Sequence, residues 1–328
     1  QFDNSGYIKN VAASQPDEKL KDRIAVGGVA RDEDDIGGDK YTGFRLTALW
    51  RPVDNLDITL AYIQQEIKQD GAPEVNLNLD GNYLQTRLGV GVGGRDSESL
   101  STDINITSLV ANYDLEWGEI TSSTSWVDYE AALDADVSIF LGAPYHSDTS
   151  KDSSVFTEEL RFASKLSGPI QFVVGLYYEK NEWDLIQPWL WSGDTLVDPN
   201  PGVIRFDITN DQKTEQQAVF GELSYQLTDS LTATVGVRYF DYDKGRNATF
   251  FSSGVVQYAD RFVEIQETGT THKANISYTP SDDVLLYGQW AEGFRLGEGL
   301  VAGRPLCDQD NDGLVDGLGI PEPTKVDS

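Results

Sequence analysis

The acidic segment CDQDNDGLVDG, residues 307–317, has the residue types and the spacing of a calcium-binding loop. Its carboxylates belong to Asp308, Asp310, Asp312 and Asp316. Gly313 stands at the sixth position, where calcium loops need a glycine for a sharp turn, and the carbonyl of Leu314 would supply a further oxygen ligand. The segment therefore predicts a weak Ca²⁺ site, with a dissociation constant of ~10⁻⁴–10⁻³ M as in extracellular modules.

The same segment departs from an EF-hand. Gly319 occupies the twelfth position, where a bidentate Glu belongs. Pro305 on one side and the glycine-rich run on the other oppose the two flanking helices. What remains is the shorter DxDxDGxxD pattern of extracellular calcium loops, and a solvated acidic loop without an ion is the open alternative. Nothing in the pattern requires a cofactor, and Ca²⁺ is the one candidate ion.

Aromatic side chains in two polar segments are candidates for ligand contacts. Trp189 and Trp191 lie in QPWLWSGD, residues 187–194, and Tyr145 and His146 lie in GAPYHSD, residues 142–148. Both segments are expected to be long loops, where exposed rings can contact a bulky ligand. Packing between loops, or an aromatic girdle, is the alternative explanation.

Catalysis has little support in this chain. His146 and His272 are its two histidines, and there is a single cysteine. The sequence shows no nucleophile–base pair and no metal-ligand cluster at catalytic spacing. We therefore expect that the protein is not an enzyme.

The charge balance excludes one class of partner. The chain has 54 Asp and Glu against 25 Lys and Arg, a net charge of −29. Nucleic-acid binding needs a basic surface for the phosphates, and this composition offers none. No apolar run approaches the ~20 residues of a membrane helix.

Alternation with period two is the dominant pattern along the chain. In LTATVGVRYF, Ala233, Val235, Val237 and Tyr239 share one face, and polar residues and glycine share the other. LDITLAY, QFVVGLYY and HKANISYTP repeat the pattern. Such alternation predicts strands with one apolar and one polar face.

The connections between these strands alternate between short and long. Short turns are expected at residues 53–55, 118–119, 167–169, 229–230 and 281–283. Long polar loops are expected at residues 69–103, 137–152, 185–212, 246–270 and 298–320. Because the two kinds alternate strictly, all long loops would leave the same end of the sheet. This asymmetry favours an all-β, antiparallel transmembrane barrel over a soluble β-sandwich, whose loops have similar lengths at both ends.

Several segments resemble the barrel hairpins of TonB-dependent outer-membrane receptors. They are residues 41–63, 110–130, 156–183, 218–244 and 276–297, and the last residues, IPEPTKVDS, resemble the start of a further strand. The resemblance runs from about residue 41 to the end. It implies a 22-stranded barrel with short periplasmic turns and long extracellular loops, of which about ten strands can be counted here. We therefore expect residues 1–40 to be an irregular loop and strand region, and residues 41–328 to be a partial barrel that lacks the plug and both barrel ends.

The resemblance also implies a function. It predicts a receptor of the bacterial outer membrane, in contact with its lipid, that imports a large scarce nutrient, with an iron–siderophore complex as the commonest case. The implied partners are an extracellular nutrient ligand and a TonB-type energy-transducing protein that acts through the plug. Charges on the polar face, at Arg161, Glu159, Glu222, Arg238 and Lys273, would line the interior and could pair with a plug. A passive porin-like channel and a soluble calcium-dependent carbohydrate-binding or adhesion sandwich remain as alternatives.

Overall fold

The computed structural model describes residues 1–16, 18–79, 81–89, 98–138, 143–193, 204–252 and 255–299, together with three two-residue strands near the C-terminus. In these residues, one antiparallel sheet contains eleven strands. Its strands, in spatial order, are β1 (Phe2–Asn4), β4 (Gly38–Val53), β5 (Leu56–Asp70), β7 (Ser99–Leu115), β8 (Gly118–Asp136), β9 (Tyr145–Ser164), β10 (Ile170–Trp191), β11 (Ile204–Thr228), β12 (Leu231–Ser252), β13 (Val255–Ser281) and β14 (Val284–Ala291). The remaining elements are β2 (Ile8–Val11), α1 (Glu18–Ala25), β3 (Asp32–Ile36), β6 (Leu84–Gln85), β15 (Glu298–Gly299), β16 (Leu314–Val315), β17 (Ile320–Pro321) and β18 (Lys325–Val326).

A short turn joins the two strands of each hairpin, and these turns all lie at one end of the sheet, as the sequence predicts. The turns at residues 54–55, 165–169, 229–230 and 282–283 fall at or beside the expected positions. The turn predicted at 118–119 is wrong by two residues, because Gly118 already begins β8 and Glu116 and Trp117 form the turn. Asn55 stabilises a neighbouring connection, since its side-chain amide donates to the carbonyl of Asp114 at 3.0 Å.

The predicted long loops are shorter than the sequence suggested, because the strands continue into them. β9 begins at Tyr145, β10 ends at Trp191, β12 ends at Ser252, and β13 begins at Val255. The predicted loops at 137–152, 185–212 and 246–270 are therefore wrong in extent. Polar residues on both faces still pair along the ladder, as Asp184 does with Asp152 and Asp211. Loss of the apolar face thus marks where the apolar band ends, and not where the strand ends.

The two faces of the sheet differ in composition. Val235, Val237 and Tyr239 on β12 belong to one face and are each about half exposed. Leu223 pairs with Val235 and Val219 pairs with Tyr239, so that apolar rows continue onto β11. The rows occupy roughly nine residues of a strand, and at ~3.3 Å per residue and a tilt of ~40° they form a band ~23 Å tall. This height is close to the ~25 Å apolar band of an outer-membrane barrel.

The opposite face is polar and carries a buried aromatic cluster on β12 and β13. Phe240 and Tyr242 are 4% and 1% exposed and pack with Ala218 and Ile265. The Phe240 ring can occupy this position because residue 269 is a glycine. A Cβ at Gly269 would lie 2.4 Å from the ring. An aromatic ring over a glycine on the neighbouring strand fills the gap that the missing side chain leaves.

Residues 292–297, which follow β14, fold back over this cluster. The ring of Phe294 stacks on that of Phe240, with centroids 4.1 Å apart and planes 13° apart. The hydroxyl of Tyr242 accepts a hydrogen bond from the Gly297 N–H at 2.7 Å and donates to the Glu267 carboxylate at 2.7 Å. These contacts fix the segment against the polar face.

At the end of the eleven-stranded sheet opposite the short turns, residues 5–16, 18–37, 71–79 and 81–89 form a small folded unit, which we call the mouth cap. We call the eleven-stranded sheet the wall and this end of it the mouth. The three-stranded sheet of the mouth cap has the order β3–β2–β6. Helix α1 buries Leu20 against Ala12 and Leu88. The helix is followed by Gly27 at φ 91°, the left-handed conformation that favours glycine after a helix. In the described part of the chain, no helix is long and apolar enough to cross a membrane.

Candidate ligand-binding site at the mouth of the wall

The structure brings the predicted ligand-contact residues together at the loop end of β9 and β10. Tyr145 pairs with Trp191, and His146 pairs with Leu190. The rings of Tyr145 and Trp191 meet edge to face, with centroids 5.3 Å apart. Because side chains alternate along a strand, Tyr145, Trp189 and Trp191 belong to the polar face, and His146 belongs to the other face.

These residues do not lie on exposed loop tips, as the sequence had suggested. Trp191 and His146 are 5% and 4% exposed, and all of the predicted contact residues lie within strands. The mouth cap lies close to this end of β10, since a Cβ at Gly193 would lie 2.6 Å from the carbonyl oxygen of Val26 and 2.7 Å from the Trp191 ring. The expected loop position is thus wrong, and ligand contact by these residues stays a prediction.

A row of aromatic rings continues from Trp189 across the polar face. Trp189 stacks on Phe206 of β11 at 4.5 Å, and Phe206 meets Phe250 of β12 edge to face at 4.8 Å. Sequence reasoning missed Phe206 and Phe250. These rings come together only through the pairing register of β10, β11 and β12. A single sequence indicates that register indirectly, through the hydrophobic pattern and the turns.

Arg87 is one of the residues that fix the mouth cap to the wall. Its Nη2 donates to Glu98 Oε1 at 2.5 Å and to the carbonyl of Asp136 at 2.9 Å, and its Nη1 lies 3.1 Å from Glu74 Oε2. The side-chain amide of Asn10, in β2, makes two hydrogen bonds with the backbone of Arg87. It donates to the Arg87 carbonyl and accepts from the Arg87 N–H, each at 2.9 Å. The guanidinium therefore joins Glu74 of the cap to a long loop and to the end of β8, and the backbone of Arg87 is joined to the cap sheet through Asn10.

The carboxylates around Arg87 are already used by protein donors. Glu98 Oε1 also accepts the Asp136 N–H at 2.7 Å. The Asp136 carboxylate accepts the N–H groups of Leu88 and Ser138, each at 2.9 Å. Burial raises the pKa of the Glu98 carboxyl, and the hydrogen bond from Arg87 opposes that rise. A buried ion pair of this kind fixes geometry more than it adds stability.

A cavity of about 350 Å³ lies between the mouth cap and the polar face of the wall. Its lining from the wall includes Leu100, Leu133, Ala135, Gln187 and Trp189. Its lining from the cap side includes Pro73, Glu74, Arg87 and Glu98. The volume lies within the ~300–1,000 Å³ range of small-molecule pockets, and the mixture of apolar walls with a few polar groups is typical of them.

The charged residues predicted for the polar face do lie on one face. The ammonium of Lys273 lies 2.8 Å from Glu222, and the guanidinium of Arg238 lies over the Tyr177 ring at 5.0 Å. Arg161 and Glu159 belong to the same face, with 3.8 Å between their charged groups. Below the mouth, the polar face of the wall therefore carries both positive and negative side chains.

The predicted calcium ligands Asp308, Asp310, Asp312 and Asp316 lie outside the described residues. The backbone of Leu314 is described, and it pairs with Pro321 in the short ladder of β16 and β17. Elsewhere in the described chain, no group of three or more His, Cys, Asp or Glu side chains could hold a metal ion. The Ca²⁺ site stays a prediction.

Comparison with known proteins identifies this architecture. The family described as TonB dependent receptor-like, beta-barrel matches residues 33–313. No curated protein matches the chain. The ferric yersiniabactin uptake receptor FyuA from Yersinia pestis matches 92% of this chain with 42% of its own, at a TM-score of 0.71 and 15% identity.

Two further solved structures, both from Acinetobacter baumannii, have the same fold. The siderophore receptor PiuA matches 79% of this chain with 44% of its own, at a TM-score of 0.56 and 16% identity. The ferric preacinetobactin receptor BauA matches 90% with 45% of its own, at 0.55 and 13%. The chain thus spans less than half the length of these receptors. The predicted partial antiparallel transmembrane barrel is confirmed, and the chain belongs to the TonB-dependent receptor family, as part of its β-barrel.

Proposed function

We propose that this chain is part of a bacterial outer-membrane receptor that imports a large scarce nutrient by TonB-dependent active transport, with an iron–siderophore complex as the cargo. The observation that carries the proposal is the polarity of the wall. One face has half-exposed apolar rows suited to lipid, and the other is polar and ends at an aromatic, capped mouth. A TonB-type energy-transducing protein, acting from the periplasm through a plug, is the proposed partner inside the cell.

The choice of cargo has separate support. FyuA, PiuA and BauA are named as receptors for iron complexes or siderophores. Their fold is shared, and we extend the cargo class to this chain. The aromatic row of Trp189, Phe206 and Phe250 would give such an organic ligand a broad contact surface.

Two other functions fit parts of the molecule. A passive porin-like channel would share the barrel but would need no energy-transducing partner. A soluble calcium-dependent carbohydrate-binding or adhesion sandwich would not place Val235, Val237 and Leu176 half-exposed on one continuous apolar face. The exposed apolar band therefore supports a membrane barrel over the sandwich.

Transport can be tested with the whole receptor expressed in a host that lacks its own siderophore receptors. Uptake of a panel of ⁵⁵Fe-loaded siderophores is measured with and without the TonB-type protein, and with a protonophore. We expect accumulation that disappears when either energy source is removed. Uptake that continues without energy would instead indicate a passive channel and contradict the proposal. Energy-dependent uptake of a nutrient that contains no iron would contradict the proposed iron–siderophore cargo but not the proposed TonB-dependent transport.

A pair of variants tests the role of the mouth in the same assay. Trp189→Ala removes the ring of the aromatic row that stacks on Phe206, and Trp117→Ala removes an exposed ring in a short turn at the other end. At limiting cargo, Trp189→Ala should lower the initial uptake rate by about fivefold or more, as expected when one aromatic anchor is lost. Equal rates in the two variants, at equal surface expression, would show that the mouth does not contact the cargo.

A further inference from the structure

Two residues that line the cavity under the mouth cap carry side-chain N–H groups that the described protein does not satisfy. These residues are Arg87 and Trp189. Arg87 Nε and Trp189 Nε1 are buried and have no acceptor within the described residues. Arg87 itself is only 9% exposed. A buried N–H without a partner costs about 1–3 kcal/mol, so two of them beside one cavity need an explanation.

Three carboxylate oxygens beside Arg87 already accept hydrogen bonds from the protein. Glu98 Oε1 accepts from Arg87 Nη2 and from the Asp136 N–H, and both Asp136 oxygens accept backbone N–H groups of Leu88 and Ser138. Rearranging these carboxylates to reach Arg87 Nε or Trp189 Nε1 would break existing hydrogen bonds. An oxygen acceptor supplied from outside the chain would satisfy the donors without that loss.

The charge of the lining limits what can carry this acceptor. The lining has the carboxylates of Glu74, Glu98 and Asp136 against the single guanidinium of Arg87. That guanidinium is already paired with Glu74 and Glu98. An incoming carboxylate or phosphate would meet excess negative charge at this lining, whereas a neutral oxygen would not.

The rest of the lining is suited to an apolar body. Leu100, Leu133, Ala135, Val137 and Pro73 contribute hydrocarbon surface from both the wall and the cap. An occupant would therefore combine an apolar or aromatic group with a neutral acceptor, and it would contact the wall and the cap together.

We propose that this cavity binds a neutral arm of the imported nutrient, an amide-type carbonyl on an apolar group, and that Arg87 and Trp189 donate to its oxygen. The assignment of the arm to a nutrient rests on the proposed function; the binding chemistry of the cavity does not. The site gives a preference for neutral over anionic ligand groups, because its unmet donors are surrounded by carboxylates.

The experiment uses the full-length receptor in detergent and two probes of similar size. N,N-dimethylbenzamide has a neutral carbonyl acceptor, and benzoate is its anionic counterpart. Equilibrium dialysis, corrected with receptor-free micelles, gives the affinities. ¹⁹F NMR of 5-fluorotryptophan-labelled receptor locates the site, with the Trp189 resonance assigned by its loss in Trp189→Phe.

We expect the amide to bind at least about tenfold more tightly than benzoate and to shift the Trp189 resonance. Trp189→Phe keeps a ring against Phe206 but lacks the N–H, and it should weaken amide binding by about fivefold to tenfold, the usual effect of one hydrogen bond. The matched control is Trp183→Phe on the same strand and face, where Lys151 lies 5.5 Å from the ring. Trp183→Phe should bind the amide as the unmodified receptor does.

Tighter binding of benzoate, no detectable binding of the amide, or equal affinities in Trp189→Phe and the unmodified receptor would each overturn the proposal. These results do not depend on transport. A receptor that fails in the uptake assay can still show amide binding, and a receptor that transports can lack it, so the two proposals fail separately.

Discussion

The guanidinium of Arg87 and the carboxylate of Glu98 form a buried ion pair, with 2.5 Å between Arg87 Nη2 and Glu98 Oε1. Both side chains are largely withdrawn from solvent, at 11% and 7% exposure. The pair joins the loop before β7 to the mouth cap and, through the carbonyl of Asp136, to β8. It is one of the contacts that hold the cap over the cavity, together with the hydrogen bond from the Leu88 N–H to the Asp136 carboxylate.

Removing one partner of this pair should loosen the cap. Arg87→Met leaves the Glu98 carboxylate buried and without its cation, and such a loss costs about 3–5 kcal/mol. We expect hydrogen–deuterium exchange at Leu88 and its cap neighbours to accelerate strongly, while exchange in β10 and β11 is unchanged. The double variant Arg87→Met with Glu98→Gln should recover part of the protection.

The matched control for this loss is Arg51→Met. Arg51 pairs with Asp57 at 2.7 Å, but its side chain is 64% exposed. An exposed pair contributes about 1 kcal/mol or less, so local exchange should change little. If Arg87→Met and Arg51→Met have equally small effects, Arg87 does not fix the cap.

Gly269 should tolerate no side chain. An added Cβ would lie 2.4 Å from the Phe240 ring, and that ring cannot move freely because Phe294 stacks on it at 4.1 Å. Gly269→Ala should lower the free energy of unfolding by about 1–3 kcal/mol, as overpacking does. Urea unfolding of the receptor in detergent checks this. Gly293→Ala is the control, because nothing lies within 4 Å of its Cβ position, and equal midpoints for the two variants would contradict the packing described.

The cap should lose protection at low pH through Asp32. Hydrogen bonds from the Ser14 hydroxyl, and then from the N–H groups of Ser14 and Ala13, hold the pKa of the Asp32 carboxyl below its ordinary value of 3.8. A carboxyl whose pKa is lowered by folding stabilises the fold above its unfolded pKa and loses that contribution as the pH falls through the folded pKa.

Hydrogen exchange at Ala13 and Ser14 should therefore show protection that is constant above about pH 4 and falls below it. Asp32→Asn should remove this pH dependence. Asp34→Asn, which removes a carboxylate from the same strand where it pairs with Lys9 at 2.9 Å, should keep it. A pH profile in Asp32→Asn identical to that of the unmodified receptor would show that another group is responsible.

Calcium titration tests the acidic segment. The full receptor should bind Ca²⁺ with a dissociation constant of ~10⁻⁴–10⁻³ M, and Asp308→Ala with Asp312→Ala should abolish the heat of binding. Asp282→Ala with Asp283→Ala removes the same number of carboxylates from a short turn at the other end of the sheet and serves as control. An unchanged titration in the Asp308 and Asp312 variant would leave the segment as an acidic loop only.

The strands and most short turns could be predicted because each depends on local pattern. Val235 and Val237 alternate with Thr234 and Gly236 since the two faces of β12 meet different surroundings. The turn at Asp229 and Ser230 follows from residue types that favour turns. Strand ends were harder to predict, because pairing continues where the apolar face stops.

The mouth cap and the cavity could not be predicted in the same way. The pairing of Arg87 with Glu98 and the contact of Asn10 with Arg87 join segments far apart in sequence, without any periodic signal. The stacking of Trp189 on Phe206 depends on register across a long connection. The residues that form this site can therefore be recognised as neighbours only once the pairing of the strands is known.

The central claim is that this sheet is the wall of a transmembrane barrel, with Val235 and Val237 facing lipid. Spin labels placed singly at residues 234, 235, 236 and 237, in a Cys307→Ser background of the full receptor in lipid vesicles, test it by their accessibility to oxygen and to a water-soluble nickel reagent. We predict period-two alternation, with labels at 235 and 237 accessible to oxygen and shielded from nickel, and labels at 234 and 236 showing the reverse. High nickel accessibility at 235 and 237 would contradict the barrel.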